Sequence, residues 1–142
     1  ITDARMTRFM ITLEQGVELV WHTFDDMVGG EIYVKKIPSM KVTDIALAVE
    51  PSAKQAIVGI RPGEKLHEEM ISQEDAAHTF EYKDYFKILP AIYDWSKDNA
   101  RINGGTKVAE GFSYTSNNNT EWMTQEMLLT WIKANRQKIG LI

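Results

Sequence analysis

The stretch Val58-Gly59-Ile60-Arg61-Pro62-Gly63-Glu64-Lys65-Leu66-His67-Glu68 concentrates the residue types of an anion site. Arginine presents a planar fork of donors that matches phosphate oxygens in two-point contact. Pro62 biases Arg61 toward an extended backbone. Gly63 takes the positive φ that a Pro-Gly turn demands. A fixed guanidinium beside a carboxylate suits a nucleoside diphosphate, with Arg61 for the phosphates and Glu64 for the ribose hydroxyls. No glycine-rich nucleotide loop stands elsewhere in the chain, so the sequence carries half of a nucleotide site. Lys35, Lys36 and Lys41 flank Ile37-Pro38-Ser39-Met40 and read either as solvated side chains or as a field that steers an anion.

Other constellations fall short of chemistry. His67-Glu68 would need a second histidine at the position of Ile71 to make a zinc-protease helix. Three scattered histidines and no cysteine argue against a metal site, and no catalytic residue is assigned. Asn118-Asn119-Thr120 matches a glycosylation acceptor, but the chain carries no secretory signal.

These residues must be positioned by a modest set of elements. Met6 to Ile11 reads as a strand or extended entry. Thr12 and Gln15 have capping-box spacing, and Leu13, Val17, Val20, Trp21, Phe24 and Met27 or Val28 recur at helical period, which predicts a helix with one buried face that ends at Gly29-Gly30. Glu31 to Ile37 suits a strand. Ser39 is expected to cap a second helix with Val42, Ile45, Ala46 and Val49 inward, ended by Pro51. Ala56 to Ile60 reads as a short strand and Lys65 to Ile71 as a short helix. Phe80 to Tyr82 and Phe86 to Leu89 predict a hairpin, Trp95 to Thr120 reads mostly as loop, and Thr124 caps a last helix carrying Met127, Leu128, Trp131 and Ile132. The order predicts a mixed α/β fold with about three main helices, too short of apolar strands for a complete doubly wound sheet.

The 142 residues suit one domain, and the net charge of -4 with scattered basic residues argues against nucleic-acid binding. No apolar run approaches a bilayer span. The absence of cysteine fits a reducing, cytoplasmic setting. Ile1-Thr2-Asp3 reads as part of a longer protein rather than a natural start.

Several segments together resemble the C-terminal part of the inverting UDP-N-acetylglucosamine 4,6-dehydratases, which are extended short-chain dehydrogenase/reductase enzymes. They are Met6 to Val20, Gly29 to Ala46, Val58 to Met70, Phe86 to Ile92 and Glu110 to Thr124. The resemblance covers essentially the whole chain. It implies a single C-terminal substrate-binding lobe over residues 1–142, closing on UDP-N-acetylglucosamine. A Rossmann domain outside this stretch would bind NADP and hold the catalytic Tyr, Lys and Asp. The lobe by itself would bind no cofactor and catalyse nothing. The implied parent is a homo-oligomeric lyase of pseudaminic acid biosynthesis and flagellin glycosylation.

Residue by residue, the resemblance assigns Arg8 of Thr7-Arg8-Phe9 and Arg61 to the diphosphate, and Glu64 to the ribose. Composition alone leaves Arg8 as an ordinary surface arginine. Glu64 also reads as a plain first-turn carboxylate favoured by the helix dipole. Tyr93 and Lys97 match the catalytic Tyr-x-x-x-Lys spacing of this superfamily, but after the Pro90 break the match reads as coincidence. Two other readings stand beside the first: a dehydratase and epimerase for capsule or O-antigen sugars, and a non-catalytic nucleotide-sugar or assembly module. Uncovered, the lobe should expose an apolar surface and self-associate.

Overall fold

The structure is a computed structural model that describes residues 1–92 and 98–139. Its strands are β1 (Thr7–Phe9), β2 (Ile32–Lys35), β3 (Ser39–Lys41), β4 (Glu69–Ile71), β5 (Thr79–Glu81), β6 (Tyr85–Ile88), β7 (Thr106–Lys107) and β8 (Tyr114–Thr115). Its helices are α1 (Leu13–Asp26), α2 (Val42–Val49), α3 (Asn99–Ile102) and α4 (Gln125–Ile139). The elements gather into two compact units, each assembled from separated stretches of chain.

The first unit takes Ile1–Met10, Pro38–Glu68 and Ser116–Ile142. β1 and β3 pair antiparallel, with Arg8 opposite Met40. Met40, Ala48 and Leu128 are buried together, and Ile45, Leu129, Trp131 and Ile132 pack on them. Leu128, Trp131 and Ile132 face inward on α4 as expected, whereas Met127 is exposed; the Thr124 hydroxyl accepts from Met127 N–H at 3.2 Å, as a cap should.

Three local expectations fail in this unit. Ser39 does not cap α2. It lies fully buried in β3, its N–H donating to Glu121 O at 2.9 Å and its carbonyl accepting from Met123 at 2.8 Å. Helix α2 starts beyond it, after Lys41, with no side-chain cap. The demand of backbone groups for partners outweighs the Ser39 cap preference, because β3 is sandwiched between β1 and the 119–123 segment. On α2 the buried residue is Ala48, while Val49 is exposed. Residues 56–60 form no strand and are exposed; among the described residues their ladder-like bonds are from Ile1 N to Ala56 O at 3.0 Å and Val58 N to Ile1 O at 2.9 Å.

The second unit takes Ile11–Ile37 and Glu69–Thr115. Its sheet runs β2-β6-β5-β7, all antiparallel, and β4 pairs with β8. The expected helix over Lys65 to Ile71 is therefore wrong: Glu69–Ile71 extends to pair with Tyr114–Thr115, and Ile71 is fully buried there. The predicted hairpin is present, closed by Tyr82 N–H donating to Tyr85 O at 2.9 Å. Val34, Phe80, Phe86, Ile88 and Tyr114 form the core. The Tyr114 hydroxyl donates to Ile37 O at 2.9 Å and accepts from Ile37 N–H at 3.0 Å. The tyrosine at 93 and the lysine at 97 lie outside the described residues.

Lys87 sits on the central strand of that sheet, 1% exposed. Its ammonium pairs with Asp26 at the end of α1, donates to Arg101 O at 2.8 Å, and lies 5.2 Å from the centres of the Tyr33 and Tyr82 rings. Burial alone would raise the Asp26 pKa. Hydrogen bonds from Lys87, Tyr33 and Asn103 outweigh it and hold the carboxyl at about 2.

Helix α1 carries the capping box read from the sequence, with Gln15 N–H on the Thr12 hydroxyl and Thr12 N–H on the Gln15 side chain. Its apolar face, expected to be buried, is not. Leu13 is 81% exposed, Trp21 and Phe24 each 66%. Ile11, Leu13, Gly16, Val17, Val20 and Trp21 line an open apolar groove. The periodicity is that of a packed helix, but among the described residues Leu13, Trp21 and Phe24 stay largely uncovered.

Two outcomes follow from these contacts. Asp26→Asn strands the buried Lys87 charge and should cost roughly 3–5 kcal/mol of stability at pH 7. Because the folded pKa of Asp26 is depressed, its contribution is complete above the ordinary carboxylate range and disappears as pH falls toward about 2. Urea titrations between pH 5 and pH 2 should therefore show a steep acid loss in the parent that is shallower in Asp26→Asn. Separately, replacing Trp21 and Phe24 by serine should lower self-association in sedimentation velocity and leave the far-ultraviolet dichroism unchanged.

Candidate functional site

The Arg61-Pro62-Gly63-Glu64 turn is present and closed on itself. Glu64 N–H donates to Arg61 O at 3.1 Å, the span of a β-turn, and Gly63 takes φ +80° at its third position. The Glu64 carboxylate then reaches back: one oxygen accepts from Arg61 N–H at 3.1 Å and the other from the Thr2 hydroxyl at 3.1 Å. The backbone bond from Arg61 is the main reason its pKa is lowered; burial opposes it slightly, and Thr2, Arg61 and Arg8 add to it. Glu64 therefore stays ionised and points to the Arg61 end of the turn.

Arg61 is exposed, and among the described residues nothing hydrogen-bonds its guanidinium. Arg8 is different. One terminal nitrogen donates to Thr7 O at 2.7 Å and to Leu66 O at 3.3 Å. The other donates to Lys65 O at 3.2 Å, and Nε lies 3.3 Å from a Glu68 oxygen. So Arg8 grips the far end of the same segment whose near end carries Arg61 and Glu64. The three residues picked out from sequence thus share one neighbourhood: the charges of both arginines act on the Glu64 carboxylate. Arg8 reaches it as a clamp with most of its donors already in use.

Residues that sequence reasoning passed over complete the support. Thr7 and Ser116, 109 residues apart, are buried and hydrogen-bonded at 2.6 Å, and Thr7 meets His67 Nδ1 at 2.8 Å. Ser116 Oγ accepts from Glu68 N–H at 2.9 Å, and Ser116 N–H donates to Glu68 O at 2.8 Å. Their signal in the sequence was weak: a threonine beside Arg8, and a serine inside a run rich in Asn and Ser. Of the lysines weighed for steering, Lys36 is held by Glu81 at 2.6 Å and lies over the Phe86 ring. Lys41 is exposed.

The described residues do not fit a dinucleotide. Gly29 and Gly30 follow a helix, Gly59, Gly63, Gly104 and Gly111 sit in loops or turns, and Gly16 is inside α1. None stands at a strand-to-helix turn where a pyrophosphate is cradled. Among the described residues no group of three or more His, Cys, Asp or Glu is arranged to hold a metal ion, and no helix is long and apolar enough to cross a membrane.

Comparison with known proteins gives these mixed α/β units a family. Residues 1–90 match the family model described as polysaccharide biosynthesis protein, and the chain belongs to that family. It is 52% identical over 134 residues to the UDP-N-acetylglucosamine 4,6-dehydratase (inverting) of Campylobacter jejuni serotype O:2, covering 91% of this chain and 40% of that protein. It is 32% identical over 131 residues to a UDP-glucose 4-epimerase of Rickettsia rickettsii, covering 89% of this chain and 38% of that protein. In structure it is similar to Pen from Bacillus thuringiensis, with a TM-score of 0.73 and 26% identity over 96% of this chain and 39% of that one. The chain spans about 40% of the length of these relatives.

The different commitments of the two arginines have a measurable consequence. Arg61→Ala should leave stability within about 0.5 kcal/mol of the parent, as for a surface side chain without partners. Arg8→Ala should cost roughly 1–3 kcal/mol, because it strips charge-assisted bonds from the Lys65 and Leu66 carbonyls. Denaturant melts of the two variants make the comparison.

Proposed function

We propose that this chain is the UDP-sugar-binding portion of an inverting UDP-N-acetylglucosamine 4,6-dehydratase. The observation that carries the reading is the free guanidinium of Arg61 on a turn locked by Glu64, in a chain about half identical to two Campylobacter dehydratases. Arg61 supplies the two-point grip on the diphosphate, and Arg8 adds its charge from the clamped side. Glu64, held ionised, accepts from the ribose hydroxyls with the lone pairs left over from Arg61 N–H and Thr2. In the parent enzyme this portion orients the sugar and neutralises the diphosphate. NADP and the catalytic groups belong to other residues of that enzyme. Pseudaminic acid synthesis in the cytoplasm, by a homo-oligomer, is the setting we infer from the dehydratase relatives.

A second reading has support in the Rickettsia relatives, named UDP-glucose 4-epimerases. Both readings put UDP in the same hands and differ in what happens to the sugar. Incubating the full-length enzyme with UDP-N-acetylglucosamine separates them: loss of one water mass is the dehydratase outcome, and an unchanged mass with an altered sugar is the epimerase outcome.

Calorimetric titration of UDP into this chain tests the binding site directly. Arg61→Ala should weaken binding at least tenfold, on the order of the 1.5–3 kcal/mol of a charge-assisted bond, and Glu64→Gln by a smaller factor. Unchanged affinity in a folded Arg61→Ala protein would remove the assignment.

A further inference from the structure

One distribution of protons makes every contact among Thr7, His67 and Ser116 a hydrogen bond at once. Ser116 Oγ lies 3.1 Å from Thr7 O, and a carbonyl only accepts, so in that distribution the Ser116 hydroxyl donates there. The 2.6 Å bond between Ser116 and Thr7 must then be donated by the Thr7 hydroxyl. With that proton committed, Thr7 Oγ1 can only accept from the imidazole 2.8 Å away, so His67 Nδ1 carries a hydrogen. The polarity runs one way: His67 Nδ1–H to Thr7, Thr7 to Ser116, Ser116 to the β1 backbone. Among the described residues nothing hydrogen-bonds His67 Nε2.

The chain of bonds sits where the segment bearing Arg61 and Glu64 is fastened. Thr7 N–H donates to Leu66 O at 3.2 Å, and Ser116 bonds both the N–H and the carbonyl of Glu68. His67, between them, is tied by its side chain to the same Thr7. Thr7 is 4% and Ser116 0% exposed, so water does not compete for these bonds. A break at Thr7 would release Leu66 to Glu68 from β1, and with them the carbonyls that Arg8 holds.

We propose that His67, Thr7 and Ser116 act as a polarity-ordered positioning device, with His67 fixed as the Nδ1–H form, that sets the Arg61–Glu68 segment in the shape a UDP-sugar binds. The ligand part of this rests on the function proposed above for Arg61 and Glu64. The three residues act through the backbone, not by touching the ligand.

The test combines a spectrum with an affinity. Nitrogen-15 spectra of the imidazoles in the unsubstituted chain, at a pH where the rings are neutral, should show the Nδ1–H tautomer for the signal that His67→Asn removes. Thr7→Val keeps the shape of the side chain and removes the hydroxyl; Thr7→Ser keeps the hydroxyl. The dissociation constant for UDP should rise about tenfold in Thr7→Val and return close to the parent value in Thr7→Ser. An Nε2–H tautomer overturns the proposal whatever UDP does, and that reading survives even if Thr7→Val does not fold. A destabilised Thr7→Val with unchanged UDP affinity overturns the positioning role and leaves a packing role. Absence of UDP binding by the unsubstituted chain overturns the assignment of Arg61 and Glu64, a failure the tautomer measurement does not share.

Discussion

The guanidinium of Arg8 is the point from which the arrangement of the site can be read. One of its donor contacts goes to the Thr7 carbonyl of its own strand, and three reach residues that follow the turn: the carbonyls of Lys65 and Leu66 and the Glu68 carboxylate. A loop that shows bare carbonyls to the protein surface costs free energy unless those carbonyls find donors. Arg8 supplies them from a strand already pinned by its pairing with β3. The exposed Arg61-Pro62-Gly63-Glu64 turn is therefore the free end of a segment whose other end is fixed. That arrangement lets Arg61 stay unpaired without the turn being loose, because Glu64 closes it from within.

The second unit obeys the same economy of polar partners, in a drier setting. Lys87 would be costly on a central strand, but Asp26, Arg101 O and two tyrosine rings surround its ammonium. Glu31, 1% exposed at its side chain, is answered by Arg101 at 2.6 Å and by Gly29 N–H at 2.7 Å. These buried charges tie α1 and α3 to the sheet through named directional bonds, so the unit is specified as well as held together. The face of α1 turned away from these bonds is the apolar one, and Leu13, Trp21 and Phe24 on it are exposed.

The sequence was most legible where partners lie within three or four residues. The Thr12–Gln15 capping box, the Thr124 cap, the Arg61–Glu64 turn and the Tyr82–Tyr85 hairpin all have that reach. Local failures share a cause. Ser39 has the right chemistry for a cap, yet the 119–123 segment claims its backbone; Glu69–Ile71 has helical neighbours, yet Tyr114–Thr115 offers it a strand. Residues 56–60 have the composition of a strand, but among the described residues the backbone partner they find is Ile1. In each case a distant stretch of chain decided between two states that local preference leaves nearly equal.

For the site, the sequence by itself determined the chemistry: a forked cation and a carboxylate spaced by Pro-Gly, whose backbone limits bring Arg61 and Glu64 together without outside help. Its family likeness was legible for the same reason, in short runs of neighbouring residues. Only the tertiary structure decided how the two arginines divide their work, since Arg8 meets Lys65 and Leu66 across more than fifty residues. It alone joined Thr7 to Ser116 across 109 residues. Contacts of that kind depend on which strands and loops are brought side by side, and no spacing along the chain encodes them.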